Sequence, residues 1–308
     1  MTIQLREAPV ATSDASAVAR SLPPLGEPAR LRLAGTASVV IGALLLGFFV
    51  QYVGVSQLSY ARDQSLAIEQ FRYDLANATA PVGQVGPDSK LLEPGTPVAL
   101  LEIPVIRVRE VVLEGTTSST TVSGPAHRRD TPLPGQAGAS VVYGRQASYG
   151  APFGNLSLLR KGDRIVATTG QGEATYRVTG VRYTGDSLPE PMEGGEGRLT
   201  LVSAAGVPYI PNTIIRVDAR LTSEAQPSPG KVIGYAALDA NELTMAGDTR
   251  GWPLLVLGLI LLFVTLALFT VSRRFWGKWQ TWIVAVPVLL TLGSFTAQQV
   301  AVLLPNVI

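Results

Sequence analysis

The sequence predicts a mainly β domain between residues 97 and 222, attached to three helices long enough to cross a membrane. Two observations carry this prediction. From Val98 onward, short runs of β-branched and apolar residues alternate with Gly, Pro and Thr, as in the strands of a barrel or sandwich. Outside that region lie three long apolar runs that contain no acidic or basic side chain in their centres.

The composition of the 308-residue chain excludes several classes of function. The formal net charge is only +2, and no basic run is interleaved with aromatic residues, so we expect no nucleic-acid partner. The chain contains no cysteine and a single histidine. A disulfide framework, a thiolate metal site and a cysteine nucleophile are therefore excluded, and we expect neither a metal nor another cofactor.

The apolar runs are interpreted as membrane spans. Residues 33–55 follow a leader longer than that of a cleavable signal peptide, which favours an uncleaved signal anchor over the signal-peptide alternative. Residues 252–272 and 281–304 are predicted to form two further spans, the alternative being a buried helical hairpin. Pro287 lies within the last run and is tolerated in membrane helices.

The basic residues predict the orientation, because cytoplasmic flanks of membrane spans are enriched in Lys and Arg. They precede the first run and fill the loop between the second and third runs. These residues are Arg6, Arg20, Arg30, Arg32, Arg273, Arg274 and Lys278. Three spans make the two groups consistent, so the β domain is expected outside the cytoplasm of a bacterial cell.

The remaining segments complete the predicted organisation. Apolar residues recur at helical spacing over residues 57–78, and the next stretch is rich in Pro and Gly. The predicted segments are a disordered cytoplasmic leader (1–32), the signal anchor (33–55), a helical stalk and Pro/Gly linker (56–96), the β domain (97–222), a tether (223–251), a transmembrane helix (252–272), a cytoplasmic loop (273–280) and a last transmembrane helix (281–304).

Five segments of the β domain, in order, resemble the sortases. They are LEIPVIRV (101–108), GPAHRRDTPLPGQAGASVVYG (124–144), APFGNLSLLRKGDRIVATT (151–169), RLTLVSAAG (198–206) and TIIRVDARL (213–221). The resemblance implies an eight-stranded β-barrel. In active sortases a Cys attacks a sorting-signal peptide, a His protonates the leaving amine and an Arg stabilises the oxyanion.

Carried onto this chain, the resemblance leaves all three catalytic positions without the expected side chain. Ala204 stands at the Cys position and Arg145 at the His position. The Arg position falls at Thr213 or Ile214, and Arg216 is the nearest arginine. We therefore expect no catalytic residue of the sortase type.

Two polar residues near these positions offer alternatives. Ser203 could act as a replacement nucleophile, but strand alternation predicts that it faces away from Ala204, into the core. His127 lies between Pro and Gly residues and is predicted to be a solvated loop histidine, with a ligand-contacting or pH-sensing role as the alternative. The expected binding groove comprises Arg145, Gln146, Ser203, Ala204, Arg216 and His127.

Because Arg145 carries a permanent positive charge, we expect it to bind a carboxylate, either from another protein or from the acidic loop at 186–196. The alternative is that its side chain extends to solvent. That loop is expected to be solvated, with a calcium site as the alternative.

The combined prediction is a membrane-anchored pseudoenzyme of the cell envelope. Its groove is expected to bind an extended peptide or a partner's loop, and its spans could pack against another envelope or membrane protein. One alternative is an active transpeptidase or hydrolase that uses a nucleophile such as Ser203. Another is a structural subunit acting through its spans.

Overall fold

A computed structural model describes residues 47–49, 51–86, 88–275 and 278–308. The leader and most of the first predicted span lie outside these residues. Eight strands form a closed barrel in the order β1-β2-β3-β4-β7-β8-β6-β5. The strands are β1 (Pro97–Ile103), β2 (Val108–Glu114), β3 (Ala126–His127), β4 (Gly138–Tyr143), β5 (Arg164–Thr169), β6 (Gly172–Tyr183), β7 (Gly197–Val207) and β8 (Ile210–Leu221).

The barrel closes around the apolar face of each strand. Along β7, Leu199 and Leu201 point into the core, where Val217 of β8 and Val142 of β4 join them. The residues between them face outward, as the two-residue period of a strand requires. β4 and β7 pair in parallel, with Tyr143 opposite Val202, so the ends of these two strands lie side by side at one rim of the barrel.

Within the described residues, four α-helices accompany the barrel. They are α1 (Ser56–Ala76), the short α2 (Ser118–Thr121), α3 (Trp252–Phe275) and α4 (Lys278–Leu303), and a π-helical turn (Gln51–Val55) leads into α1. Helix α1 covers the region in which a helix over 57–78 is predicted. Its Phe71 is buried against Val111 and Leu113 of β2, which fixes this helix to the outside of the barrel.

Two helical stretches, Thr249–Ser272 and Trp279–Leu303, are long and apolar enough to cross a membrane by length and composition. Large apolar side chains on α3 are exposed, among them Leu254, Ile260 and Phe263. Large exposed apolar patches are typical of surfaces that contact a membrane or another protein.

The segment 223–251, predicted to be a tether, packs against the barrel and the end of α4. It contains three 3-10 turns, at Tyr235–Ala237, Ala240–Glu242 and Thr249–Gly251. Thr116 donates a hydrogen bond to the carbonyl of Glu242 at 2.7 Å, and the amide of Asp248 donates to the carbonyl of Val302 at 3.0 Å. These contacts lie far apart in sequence, so local composition could not predict them.

Candidate functional site

The site lies at the barrel rim where β4 and β7 end. Ala204 on β7 is 1% exposed and belongs to a small apolar cluster with Tyr143, Val202 and Val307. It faces the outer side of the strand, opposite to the core residues Leu199 and Leu201. Its methyl group offers no nucleophile.

Ser203 lies on the other face of the same strand. Its hydroxyl is fully buried and donates a 2.8 Å hydrogen bond to the carbonyl of Gly144. Alternation along β7 places this hydroxyl on the side of Leu201, away from the side chain of Ala204. The structure therefore does not bring Ser203 to the place where a peptide would meet Ala204.

Arg145 follows directly after β4 and has no exposed surface. All of its recorded hydrogen-bond partners are hydroxyl or carbonyl oxygens. Nη2 donates to Ser118 Oγ at 2.7 Å, Nη1 donates to Ser148 Oγ at 3.1 Å and Nε donates to Thr121 Oγ1 at 3.3 Å. The guanidinium also lies over the ring of Tyr149, 5.4 Å from its centroid.

These contacts correct two expectations about Arg145. The side chain does not extend to solvent, and none of its hydrogen bonds within the described residues goes to the loop at 186–196 or to any side-chain carboxylate. Burial lowers the pKa of Arg145 to about 10, and the tyrosine rings of Tyr52 and Tyr149 oppose that shift. The group still carries its charge near neutral pH, so its oxygen partners must replace the water that it has lost.

Residues 305–308, which follow α4, fill the space beside Ala204. The carbonyl of Val307 accepts hydrogen bonds from the amides of Gln146 and Ala204, at 3.1 and 3.2 Å. The carbonyl of Ile308 accepts from Ser148 Oγ at 2.8 Å and from Arg145 Nη1 at 3.3 Å. Residues 305–308 therefore occupy the space at the rim where the sequence predicts a groove.

The remaining predicted groove residues are placed less centrally. Gln146 contributes its backbone amide to the site, while its side chain donates to the carbonyl of Gly206 at 2.9 Å. On β8, Ile214 pairs with Ala204 and Arg216 pairs with Val202. Arg216 thus lies on the same face as Ala204, two residue pairs away along the strands. Within the described part of the chain, its side chain makes no hydrogen bond or ion pair.

The prediction of a solvated loop for His127 is wrong. The residue lies on the two-residue strand β3 and is fully buried. Its Nδ1 is 2.7 Å from Glu114 Oε2, and its Nε2 is 3.0 Å from both the carbonyl of Pro132 and the hydroxyl of Thr131. Because these partners occupy both ring nitrogens, His127 belongs to the wall of the barrel and has no free nitrogen for a peptide.

The acidic loop before β7 makes local contacts. Asp186 accepts a hydrogen bond from the amide of Tyr183, and Glu196 accepts from the amide of Glu193. Within the described residues, no group of three or more His, Cys, Asp or Glu side chains is placed to hold a metal ion.

The sequence analysis missed the residues that complete the site. Ser118 and Thr121 on α2, Ser148 after β4 and Asn306 after α4 all supply buried polar contacts. Each is a small polar residue in a loop or a short helix, where such residues are common. No motif distinguishes them, and only the fold brings them together.

Chemically, the arrangement can hold a peptide backbone. Two amides and a guanidinium donate to consecutive carbonyls, and an apolar cluster receives the side chain between them. The side chains that contact Val307 and Ile308 include no nucleophile paired with a base, which an acyl transfer requires.

Comparison with known proteins identifies similar domains. Residues 101–217 match the family model described as the sortase domain. Sortase A of Bacillus anthracis is 23% identical over 181 residues, which cover 54% of this chain and 83% of that protein. The solved structure of sortase E from Streptomyces avermitilis is 30% identical, over 43% of this chain and 91% of that chain, with a TM-score of 0.36. The sortase D5 transpeptidase of Clostridium perfringens is 21% identical, over 53% of this chain and 99% of that chain, with a TM-score of 0.44.

The matched residues begin in β1 and end in β8, so they include the barrel and the rim where Arg145 and Ala204 lie. The chain belongs to the sortase family.

Proposed function

We propose that this protein is a membrane-anchored, extracytoplasmic member of the sortase family that binds an extended peptide at the barrel rim and does not cleave it. One observation supports the proposal: the amide of Ala204 donates to the carbonyl of Val307. The resemblance to sortases assigns the catalytic Cys to this position, and here a methyl group stands there. Binding geometry is therefore present where the nucleophile is absent.

The two side chains that could restore catalysis are both engaged elsewhere. The Ser203 hydroxyl donates to the carbonyl of Gly144 on the core side of β7. The His127 ring is held by Glu114, Thr131 and Pro132 inside the barrel wall. An alkoxide at Ser203 would need an adjacent base, and Arg145 cannot serve as one because a guanidinium stays protonated near neutral pH.

We propose three membrane spans, at 33–55, 252–272 and 281–304, with the barrel outside the cytoplasm. The arrangement of basic residues supports this topology, and the length and apolar surface of α3 and α4 support two of the spans. The two helices also pack against each other, which favours a hairpin. Through their exposed apolar faces they could instead join a larger membrane complex, which is the structural-subunit alternative.

An activity assay tests the absence of catalysis. The full chain in detergent micelles is incubated with sorting-signal peptides and an amine acceptor, beside a Ser203→Ala variant. We expect no turnover above background in either protein. Turnover that disappears in Ser203→Ala would assign the nucleophile to Ser203, and turnover that survives the substitution would assign the reaction to another group. Either result would overturn the non-catalytic proposal.

A labelling experiment tests the topology, because the chain has no native cysteine to interfere. Leu188 in the acidic loop is 84% exposed, so a Leu188→Cys variant presents an accessible thiol. An impermeant thiol reagent should label Leu188→Cys in intact cells and should label Lys278→Cys only after the cells are lysed. The reverse pattern would contradict the proposed orientation.

A further inference from the structure

We propose that residues 305–308 (Pro-Asn-Val-Ile) are the peptide ligand of this groove, bound within the same chain, and that they exclude an outside peptide until they leave. The inference rests on the proposed function, since it names the occupant and the control of the same site. Residues 305–308 lie within the part of the chain that the structure describes.

The backbone of the segment is held as a bound peptide is held. Val307 offers one carbonyl to two amides, those of Gln146 and Ala204, and Ile308 offers the next carbonyl to Ser148 and Arg145. Main-chain hydrogen bonds of this kind are the usual source of affinity when a barrel or sheet binds an extended segment.

The side chain of Asn306 supplies the specific contacts. It is fully buried, and its Nδ2 donates to the carbonyls of Thr116 at 2.6 Å and Leu243 at 2.9 Å. Its Oδ1 accepts from the amide of Met245 at 3.1 Å. A side chain that both donates and accepts in a closed site is matched by few other residues, because a substitute leaves buried backbone groups unpaired.

The side chain of Val307 supplies the apolar contact. It has no exposed surface and packs with Tyr143, Val202 and Ala204, while Ile214 lies at the edge of the cluster. The small methyl group of Ala204 contributes to the surface on which this branched aliphatic side chain packs. The groove therefore selects an amide side chain followed by a branched aliphatic one.

The segment is coupled to α4 through Ser118. The hydroxyl of Ser118 donates to the carbonyl of Leu304 at 2.8 Å and accepts from Arg145 at 2.7 Å. If residues 305–308 left the groove, Arg145 would lose its hydrogen bond to Ile308 and its side chain would become exposed to solvent. An incoming ligand with backbone carbonyls at the same spacing would replace what Arg145 had lost, which is why the site favours exchange of one peptide for another.

A disulfide test measures whether the segment occupies the groove. Ala204→Cys and Val307→Cys are introduced together into the full chain in membranes, with Ala204→Cys and Phe263→Cys as the control pair, because Phe263 lies on the exposed face of α3. Mild oxidation should convert the first pair, and not the control, into an intramolecular disulfide within one monomer. Absence of that disulfide in the first pair would overturn the inference.

A binding test measures exclusion. The probe is a labelled synthetic peptide with the sequence of residues 303–308. We expect a double variant, Asn306→Ala with Val307→Gly, to retain at least about tenfold more probe than the unmodified chain, because apparent affinity falls with the fraction of open groove. Leu188→Gly is the control and should behave as the unmodified chain. The oxidised Ala204→Cys, Val307→Cys protein should retain none.

Equal retention by the double variant and the unmodified chain would overturn the exclusion. The melting temperature of each variant, followed by the circular dichroism of the barrel, shows whether the protein tested is folded. These outcomes are separate from the activity assay: turnover in that assay would end the non-catalytic proposal while leaving the disulfide result unchanged.

Discussion

Polar side chains are buried in two different ways in this molecule. Inside the barrel wall, His127 is surrounded by Glu114, Thr131 and Pro132, all within 13 residues of it in sequence. At the rim, Arg145 obtains its oxygen partners from α2, from α4 and from residues 305–308, which lie up to 163 residues away.

The difference distinguishes the polar residues that belong to the barrel itself from those that hold residues 305–308 in the groove. The His127 cluster is complete once β2, β3 and β4 have paired, so it belongs to the barrel alone. The Arg145 cluster is complete only when α4 delivers the following residues to the rim. Among the described residues, the hydrogen-bond partners of Arg145 are hydroxyl and main-chain oxygens and include no side-chain carboxylate. Main-chain oxygens of another peptide could therefore replace those that residues 305–308 supply.

The largest effect should come from breaking the pair inside the barrel. We expect Glu114→Ala to lower the free energy of unfolding by about 3–5 kcal/mol, because it leaves Nδ1 of the buried His127 ring unpaired and also empties the volume of a buried side chain. Glu102→Ala is the matched control, since Glu102 forms an exposed pair with Arg109 at 2.7 Å and should contribute no more than about 1 kcal/mol. Denaturant unfolding of both variants measures the difference. Equal losses would show that the two regions are not distinct in the way described here.

A smaller effect is expected at the rim. Arg145→Met removes the charge, which relieves its desolvation, but it removes one of the two donors to the main-chain oxygen of Ile308 and the guanidinium donor to the Ser118 hydroxyl. We expect a loss of about 1–3 kcal/mol, the usual cost of buried polar groups left unpaired. Arg109→Met, at an exposed pair, is the control.

Hydrogen exchange of the Gln146 and Ala204 amides provides a second readout for Arg145→Met. These amides donate to Val307, so they should exchange faster if the segment is loosened. Unchanged exchange at both amides would contradict the role of Arg145 in holding residues 305–308.

Much of the barrel could be predicted because its strands carry local patterns. The run RLTLVS alternates core and outward residues, and the structure forms β7 over Gly197–Val207. Strand β3 has only two residues and so shows no alternation, and the sequence therefore predicts a loop at His127. The error concerned a strand whose existence depends on its neighbours and not on its own residues.

The candidate site was predictable only in part. The positions of Ala204 and Arg145 followed from the order of segments shared with sortases. What surrounds them did not, because Ser118, Asn306 and Val307 reach the rim through pairings between distant parts of the chain. The residues after the third apolar run carried no signal at all, since four residues define neither a strand nor a helix.

The smallest effect should be a pH dependence of stability that arises where α1 packs against the barrel. This contact, like the one at the rim, involves residues outside the barrel. Burial raises the pKa of Glu110 on β2 from its ordinary value of 4.5 to about 7, and the neighbouring Tyr60 hydroxyl opposes the shift. The folded protein therefore binds more protons here than the unfolded chain does between these values. The resulting stabilisation is fully present below about pH 4.5 and is lost as the pH rises through about 7.

We expect the melting temperature to fall less steeply between pH 5 and pH 8 in a Glu110→Gln variant than in the unmodified chain, since the amide does not titrate. Glu102→Gln, on the exposed pair with Arg109, is the control and should keep the original slope. Each variant differs from the unmodified chain at one carboxylate, and Glu102→Gln controls for the loss of an exposed one. A change of slope seen in Glu110→Gln alone is therefore due to Glu110. Identical slopes of melting temperature against pH in all three proteins would mean that the Glu110 carboxylate is solvated in the folded protein. In that case, only Arg145 and its neighbours would differ from the buried polar groups of the barrel interior.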